Sequence, residues 1–315
     1  MVCDNMIEVW RKAVLDEVFS TSTLREAWPV WRSKILDKLP ELNGRAVFQL
    51  GDYFSEIFKS TSPERADVSL QTTQSMKSSA GNLLESLVTI YCNLCLVGRN
   101  AIVIKKKDGV MPRSVMDALT VSYRSAQFNS EFDVVGLVLP EGEFEKEMAY
   151  DHYLEAYYDS AKGKLFLKRE IDRRVADCFS SVKINVIQCK TNWNDNAQIP
   201  MLWDMIYSSA GKGGPVQIGV NDRTIREDNF TYSFVTIPTV NPEKIKADSV
   251  AVQRVVNLSG GNYWGLPSKR GVANNIKEML SRNFYSAGAP SIEESFNRFV
   301  SKEGGEEYVR KVFRL

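Results

Sequence analysis

The sequence predicts an α/β protein with a central mixed β-sheet flanked by helices and with helical additions at its N- and C-terminal ends. Three observations support this fold class. Apolar residues near the N-terminus recur at three-to-four spacing, which is the period of an amphipathic helix. A strongly apolar helical stretch, 81–98, is followed by short β-branched runs such as 101–104 and 183–190. This alternation of helices and strands is typical of a sheet covered by helices.

The composition is that of a globular protein large enough to bury its own core. The chain has 315 residues, of which 43% are apolar and 25% are charged, and a chain of this length needs no disulfides for stability. Because 40 basic residues nearly balance 39 acidic ones, affinity for a polyanion has to come from a localised cleft. The single histidine, His152, excludes two-histidine zinc sites and most two-histidine acid–base schemes.

The sequence indicates neither an export signal nor a membrane span. The N-terminal segment is charged throughout, and no stretch reaches the roughly 18 consecutive apolar residues of a spanning helix. The five cysteines are scattered, which favours free thiols in a reducing compartment. Cys92 and Cys95 form a lone CxxC pair in an apolar helical stretch, and we interpret them as buried helix residues. We therefore expect a cytoplasmic protein with no membrane partner.

Residues 1–74 are predicted to form a helical N-terminal region. A first helix is indicated by apolar residues that share one face, namely Ile7, Trp10, Val14 and Val18. A second helix has two alternative starts. Thr23 forms a capping-box pattern with Glu26, whereas Pro29 is disfavoured inside a helix and suits a first turn. A third amphipathic segment is indicated by Phe54, Ile57 and Phe58.

Residues 75–240 are predicted to form the α/β core. Its first helix, 81–98, ends at Gly98, a natural helix stop. The strands are predicted at 101–104, 132–140, 183–190, 216–220 and 230–238. The strand 183–190 is apolar on both faces, which indicates a central position in the sheet. Residues 198–211 have a helical pattern.

Two further regions complete the predicted organisation. Residues 141–182 are interpreted as an arm inserted into the core, with AKGKLFLKR (161–169) forming a hairpin. The cluster of basic residues at 162–174 is interpreted as a solvated face. Residues 241–315 alternate helical patterns with glycine-rich breaks. They are predicted to form a C-terminal region with helices and a DNA-recognition loop.

Four residues in chain order form a candidate site for chemistry. Glu85 lies in the apolar helix, Asp133 opens an apolar strand, and Gln188 and Lys190 lie near the end of the central strand. Because side chains at i and i+2 of a strand point the same way, Gln188 and Lys190 share one side of the sheet. A carboxylate that holds Mg²⁺ near a phosphate, with a lysine to orient water, supplies what phosphodiester hydrolysis needs.

This ordered set of helical Glu85, the FD pair at Asp133 and the strand ending IQCK resembles the PD-(D/E)xK nuclease superfamily over roughly residues 75–240. The stretch SSAGNLLESLV is similar to the first helix of many type II restriction endonucleases. The resemblance implies a restriction-endonuclease-like core and Mg²⁺-dependent cleavage of double-stranded DNA that leaves 5′-phosphates. It implies that Asp133, Glu85 and Gln188 form the metal site and that Lys190 orients the attacking water. It also implies a homodimer, and a cognate DNA methyltransferase as companion activity.

The sequence departs from the pattern of the superfamily in its acidic positions. Phe132, rather than proline, precedes Asp133. Gln188 stands where most members have an acid, although some members use QxK, and a neutral amide is a weaker Mg²⁺ ligand than a carboxylate. Glu141 or Glu143, just past the second strand, is the alternative source of the missing acid. The inserted arm accounts for the long separation between Asp133 and Gln188.

Two segments are predicted to contact DNA. TNWNDNAQ (191–198) directly follows the central strand and is rich in side chains that bond base edges, or it is a polar loop that caps the next helix. GGNYWGLPSKRG (260–271) combines glycines and aromatic residues with cations for phosphate or guanine, or it is a plain surface loop. The residues predicted to bind DNA are Asn192, Asn194, Asn196, Gln198, Lys269 and Arg270.

Two other functions stay open beside a restriction enzyme. A structure-selective or transposon-type nuclease of the same superfamily would prefer DNA junctions to linear sites. A non-catalytic DNA-binding protein with a decayed site would bind without metal-dependent cleavage, and a glutamine at position 188 is compatible with it.

Overall fold

The structure is a computed structural model. It describes residues 5–61, 74–106, 109–129, 132–142, 144, 160–191, 216–237, 243, 245–256, 258–265, 272–285 and 288–315. The helices, in chain order, are α1 Met6–Ser20, α2 Ser22–Lys38, α3 Gly44–Gln49, α4 Phe54–Lys59, α5 Gln74–Cys95, α6 Arg113–Ala118, α7 Ala161–Asp177, α8 Val250–Val256, α9 Ile276–Asn283, α10 Ile292–Val300 and α11 Gly305–Val312. The strands are β1 Ala101–Lys105, β2 Thr120–Tyr123, β3 Ala126–Asn129, β4 Val134–Val138, β5 Lys183–Lys190, β6 Val216–Ile218, β7 Phe230–Thr236 and β8 Asn262–Tyr263.

The described part of the N-terminal region, residues 5–61, is helical, and one helix boundary differs from the prediction. The side chain of Asn5 caps α1, and the apolar stripe of this helix is buried as predicted. The second helix starts at Ser22 with Thr21 as its N-cap. The capping box predicted at Thr23 is therefore wrong, and so is a start at Pro29, which lies inside α2. The buried tryptophans of this helix, Trp28 and Trp31, outweigh the hydrogen bond that the proline removes.

The central sheet has the strand order β1-β4-β5-β7-β8, and β5 is its middle strand, as predicted. Strands β1, β4 and β5 pair antiparallel, whereas β5, β7 and β8 pair parallel, so the sheet is mixed. Strand β8 comes from the C-terminal region. The predicted boundary at residue 240 therefore does not separate that region from the sheet.

Two predictions about strands are corrected. The strand predicted at 216–220 is shorter, Val216–Ile218, and it belongs to a second sheet of order β3-β2-β6 rather than to the central one. Strand β6 pairs with β2 on the side of the β2–β3 hairpin that β3 leaves open. This pairing depends on tertiary contacts and not on the local sequence. The segment 161–169, predicted as a hairpin, is the first half of helix α7.

Local chemistry explains why α7 is a helix. The hydroxyl of Ser160 accepts a hydrogen bond from the backbone N–H of Gly163 and caps the first turn. The buried positions of the helix recur every four residues, namely Gly163, Leu167, Ile171 and Val175. In a strand the residues two apart would share this buried face, but Leu165 and Arg169 are exposed, so the pattern is that of a helix. The helix predicted at 198–211 lies outside the described residues.

Helix α5 is tied to strand β1 by a buried asparagine and contains the predicted buried cysteines. The amide of Asn93 donates to the carbonyl of Val103 at 2.7 Å and accepts from its N–H at 3.2 Å. Cys92 and Cys95 are free thiols with 0% exposure, which confirms the interpretation. Burial raises the pKa of Cys95 to about 12.

A fully buried ion pair lies within α1, and its arginine links this helix to the end of α5 and the start of β1. The guanidinium of Arg11 contacts the carboxylate of Glu8 at 2.8 Å, and neither side chain is exposed. Arg11 also donates to the carbonyls of Leu96 and Ala101, at 2.9 and 3.1 Å. The carbonyl of Leu96 lies just past the end of α5, where backbone groups need partners, and that of Ala101 lies at the start of β1. The hydroxyl of Tyr308, in α11, donates to the backbone carbonyl of Glu8 at 2.7 Å.

No helix in the described part of the chain combines the length and the hydropathy needed to cross a bilayer.

Candidate active site

The pairing of β4 with β5 brings two of the predicted site residues together. Val134 lies opposite Ile187 in the antiparallel register, so Asp133, just before β4, falls beside Gln188. Two positions further along β5, Lys190 lies on the same side as Gln188 and is partly exposed. Asp133, Gln188 and Lys190 therefore occupy one end of the central sheet, as the sequence predicted.

Asp133 is held by two short hydrogen bonds from the central strand. Its Oδ2 atom accepts from Nε2 of Gln188 at 2.7 Å and from the backbone N–H of Cys189, also at 2.7 Å. Hydrogen bonds to an ionised acceptor are stronger than neutral ones, and two donors on one oxygen restrict the rotation of the carboxylate. The central strand thus orients Asp133.

The side-chain oxygen of Gln188 is also held by a hydrogen bond. The residue is 3% exposed, and its Oε1 accepts a hydrogen bond from the hydroxyl of Tyr232, on β7, at 3.2 Å. The amide nitrogen therefore points to Asp133 and the amide oxygen to Tyr232. In this orientation Gln188 acts by positioning Asp133, because a metal ligand would have to present the oxygen. Sequence reasoning missed Tyr232, whose only signal was a polar hydroxyl within an apolar strand.

Glu85 lies on the opposite side of the sheet from Gln188. Its carboxylate forms an ion pair of 3.4 Å with Lys105 of β1. The ammonium of Lys105 also donates to the hydroxyl of Ser86 at 3.1 Å and is 8% exposed. Directly paired residues share a face of a sheet, and Lys105 pairs with Val134, which pairs with Ile187. Lys105 therefore lies on the face opposite Gln188, and sequence reasoning missed it as the partner of Glu85.

The thiol of Cys189 lies within the electrostatic reach of both carboxylates. Burial is the main cause that raises the pKa of Cys189 well above its usual range, and the charges of Asp133 and Glu85 raise it further. The positive charge of Lys105 acts in the opposite direction. Glu85 and Asp133 thus lie around the same end of β5, although they approach it from different faces. The thiol stays protonated at neutral pH.

The stand-in acid predicted at Glu141 is wrong. Asp133 precedes β4 and Glu141 follows it, and Val138, the last residue of this strand, pairs with Ala101 at the far end of β1. A strand of five residues spans roughly 17 Å at about 3.4 Å per residue. Glu141 therefore cannot share a metal ion with Asp133. Glu143 lies outside the described residues.

A divalent cation beside Asp133 would have to be held by oxygen atoms. Among the residues that the structure describes, no group of three or more His, Cys, Asp or Glu side chains lies close enough to hold a metal ion. Mg²⁺ differs from zinc in this respect, because proteins often hold it with one or two carboxylates together with water and substrate phosphate. An oriented, partly exposed carboxylate such as Asp133 fits that need.

A change of Gln188 to glutamate tests this fit without any cleavage assay. The new carboxylate would lie against Asp133, and like charges raise the pKa of an acid. The variant should match the wild type in acid, below about pH 4, and lose stability as the pH rises through the raised pKa. Mg²⁺ should restore much of that loss, since a cation bound by two carboxylates stabilises the folded state by mass action.

The measurement is the melting temperature of Gln188→Glu and of the wild type across pH, with and without Mg²⁺. An equal response of both proteins to Mg²⁺ would argue against a cation beside Asp133. The variant Gln188→Ala, which lacks both charge and donor, is the control for the loss of the hydrogen bond.

The predicted DNA-binding residues lie outside the described part of the chain. They are Asn192, Asn194, Asn196, Gln198, Lys269 and Arg270.

Comparison with known proteins adds no relative to this picture: no family model and no curated protein matches the chain.

Proposed function

We propose that the protein is a Mg²⁺-dependent endonuclease of the type II restriction class, which cuts double-stranded DNA at a specific site. The observation that carries the proposal is the carboxylate of Asp133, oriented by Gln188 and by the backbone of the central strand, on the side of the sheet that Lys190 occupies. The mixed sheet supports the same inference, because Asp133 precedes its second strand and the QxK residues end its third. We infer that this sheet is a restriction-endonuclease-like core.

Each residue has a distinct part in the proposed reaction. Asp133 holds the divalent cation, which when bound supplies charge stabilisation at the scissile phosphate. Gln188 keeps the carboxylate in place and Tyr232 keeps Gln188 in place. Lys190 donates a hydrogen bond to the attacking water and orients it towards the phosphorus. Asp133 and Lys190 are the catalytic residues in this proposal, whereas Gln188 and Tyr232 are positioning residues.

Glu85 lies on the other face of the sheet and is paired with Lys105, so it is proposed to act on the cation site through water around the end of β5. We expect Glu85→Gln to lower the cleavage rate by roughly 10²-fold or more, in line with the several kcal/mol of metal-ion stabilisation. It should also raise the Mg²⁺ concentration that gives half the maximal rate. The fold should persist, because Lys105 keeps its hydrogen bonds to Ser86 and to the carbonyl of Asn82.

The matched control is Lys105→Met, which breaks the same ion pair but keeps the carboxylate. Cleavage rates against Mg²⁺ concentration separate the two variants. Equal losses in both, with no change in Mg²⁺ dependence, would mean that Glu85 only anchors Lys105.

The quaternary structure and companion activity follow from the class of enzyme proposed. A homodimer with two-fold symmetry suits a palindromic DNA site. A cognate DNA methyltransferase would protect the host sites. Analytical ultracentrifugation with and without a duplex tests the dimer.

One experiment tests the function as a whole. Purified protein is incubated with a sequenced plasmid and Mg²⁺, and the ends of the products are mapped. Discrete fragments with 5′-phosphates, absent when EDTA replaces Mg²⁺, support the proposal. Cleavage of branched but not linear DNA would assign the protein to the structure-selective nucleases. Duplex binding without cleavage would favour a non-catalytic DNA-binding protein, the alternative that the amide at Gln188 supports.

A further inference from the structure

Helix α7 carries its charges in an unequal distribution. Its first nine residues contain four cations and no acid, whereas its last eight contain three acids and two arginines. The four cations, Lys162, Lys164, Lys168 and Arg169, are all exposed and define the basic surface of α7. From Lys162 to Arg169 the helix rises about 10 Å, at 1.5 Å per residue. The basic surface is therefore a local excess of positive charge on a chain whose formal net charge is only +1.

This distribution opposes the helix dipole. The N-terminus of a helix is its positive end, so acids are stabilising there and cations are stabilising at the other end. The C-terminal helices of the same chain follow that rule, with acids in the first turn and bases in the last, as in α9, α10 and α11. Helix α7 has no acid in its first turn. Lys162 and Lys164, which lie in the first turn, therefore cost the helix stability, which points to a role outside folding.

The cations of the basic surface also differ in their pairing from the charges further along the helix. Within the described part of the chain none of the four forms an ion pair, whereas further along the helix Arg173 contacts Glu170 at 2.7 Å and Asp177 at 2.9 Å.

We propose that the basic surface of α7 binds the phosphate backbone of duplex DNA. Cations spread along a helix complement the regular row of phosphates, and such contacts position a protein on DNA without reading its sequence. A membrane surface is the weaker match. An interfacial helix needs a continuous exposed apolar face. Among the residues of α7 that the structure describes, Leu167 and Ile171 are buried in the protein, and Leu165 is the only exposed large apolar residue, at 51%. The inference rests on the proposed function for the identity of the polyanion.

The test measures how salt affects DNA binding. Binding of a non-cognate duplex is followed by fluorescence anisotropy over a range of KCl concentrations, in EDTA so that no cleavage occurs. The double variant Lys164→Gln/Lys168→Gln should reduce the slope of log affinity against log salt by about 0.9 for each lysine removed. The control Lys34→Gln/Lys302→Gln makes the same change in net charge at exposed lysines elsewhere and should leave the slope unchanged.

A second variant controls for the possibility that weaker binding results from misfolding. Lys162→Glu places an acid in the first turn, where it complements the helix dipole. It should raise the melting temperature and still weaken DNA binding several-fold, compared with Lys34→Glu. A better-folded protein that binds DNA less well cannot be explained by loss of structure.

The outcomes separate this inference from the proposed function. If the double variant binds duplex DNA with the wild-type salt slope, the inference about the basic surface is overturned and the nuclease proposal is unaffected. Absence of duplex binding by the wild type overturns both. Loss of binding to vesicles of anionic lipid in the double variant, with DNA binding unchanged, would assign the surface to membranes and overturn the inference.

Discussion

Replacing Asp133 with asparagine, or Lys190 with alanine, is expected to abolish DNA cleavage while specific binding is largely kept. Asparagine keeps the size of Asp133 and an oxygen that accepts from Gln188 and from the N–H of Cys189, so the fold should not change. The rate should fall by roughly 10³-fold or more. Metal-ion stabilisation contributes several kcal/mol, and about 1.4 kcal/mol corresponds to a factor of ten. Loss of one negative charge near the phosphates should leave affinity equal or higher.

The measurement is a single-turnover cleavage assay beside a binding assay in Ca²⁺. The structure offers a matched control in Lys183→Ala, which removes an exposed lysine from the opposite end of the same strand and should cut at the wild-type rate. Wild-type cutting by the Asp133 or the Lys190 variant would refute the proposed site.

Replacing Arg11 with methionine is expected to lower the free energy of unfolding by about 3–5 kcal/mol, because it leaves Glu8 as a buried charge without its partner. The change also removes the donors for the carbonyls of Leu96, just past the end of α5, and of Ala101, at the start of β1. A buried carbonyl without a hydrogen bond adds to the loss.

Urea denaturation of three variants identifies the cause. The double change Glu8→Gln/Arg11→Met removes both charges and should be less destabilising than Arg11→Met alone. Lys12→Met breaks the neighbouring surface pair with Asp16 and should cost at most about 1 kcal/mol. A loss for Arg11→Met as small as that for Lys12→Met would show that the buried pair does not stabilise the fold.

Four of the five strands of the central sheet could be predicted from their apolar runs, whereas β8 lies in the segment 260–271, which was predicted to be a loop. Alternation along β5 was enough to place Gln188 and Lys190 on one side, and the chemistry of carboxylates singled out Asp133. The position of Glu85 on the other face was not predictable, because it depends on how α5 packs against β1. The partner Lys105 was missed for the same reason, since its neighbours come from a separate element.

Two other predictions were wrong because the local sequence favoured one structure and the surrounding contacts favoured another. Residues 161–169 contain a glycine between lysines, which resembles a turn, yet the cap at Ser160 and the buried spacing of four make them helical. The strand Val216–Ile218 has the same apolar character as the strands of the central sheet. Only the pairing with β2 assigns it to the second sheet, and strand pairing is a tertiary property.

The bond between Tyr308 and Glu8 spans almost the whole chain. A chain is synthesised from its N-terminus, so helix α1 emerges from the ribosome long before α11 does. Until residue 308 has been made, the carbonyl of Glu8 lacks this partner, and contacts between residues so far apart in sequence form slowly. Helix α1 therefore gains this contact only after 300 further residues have been synthesised.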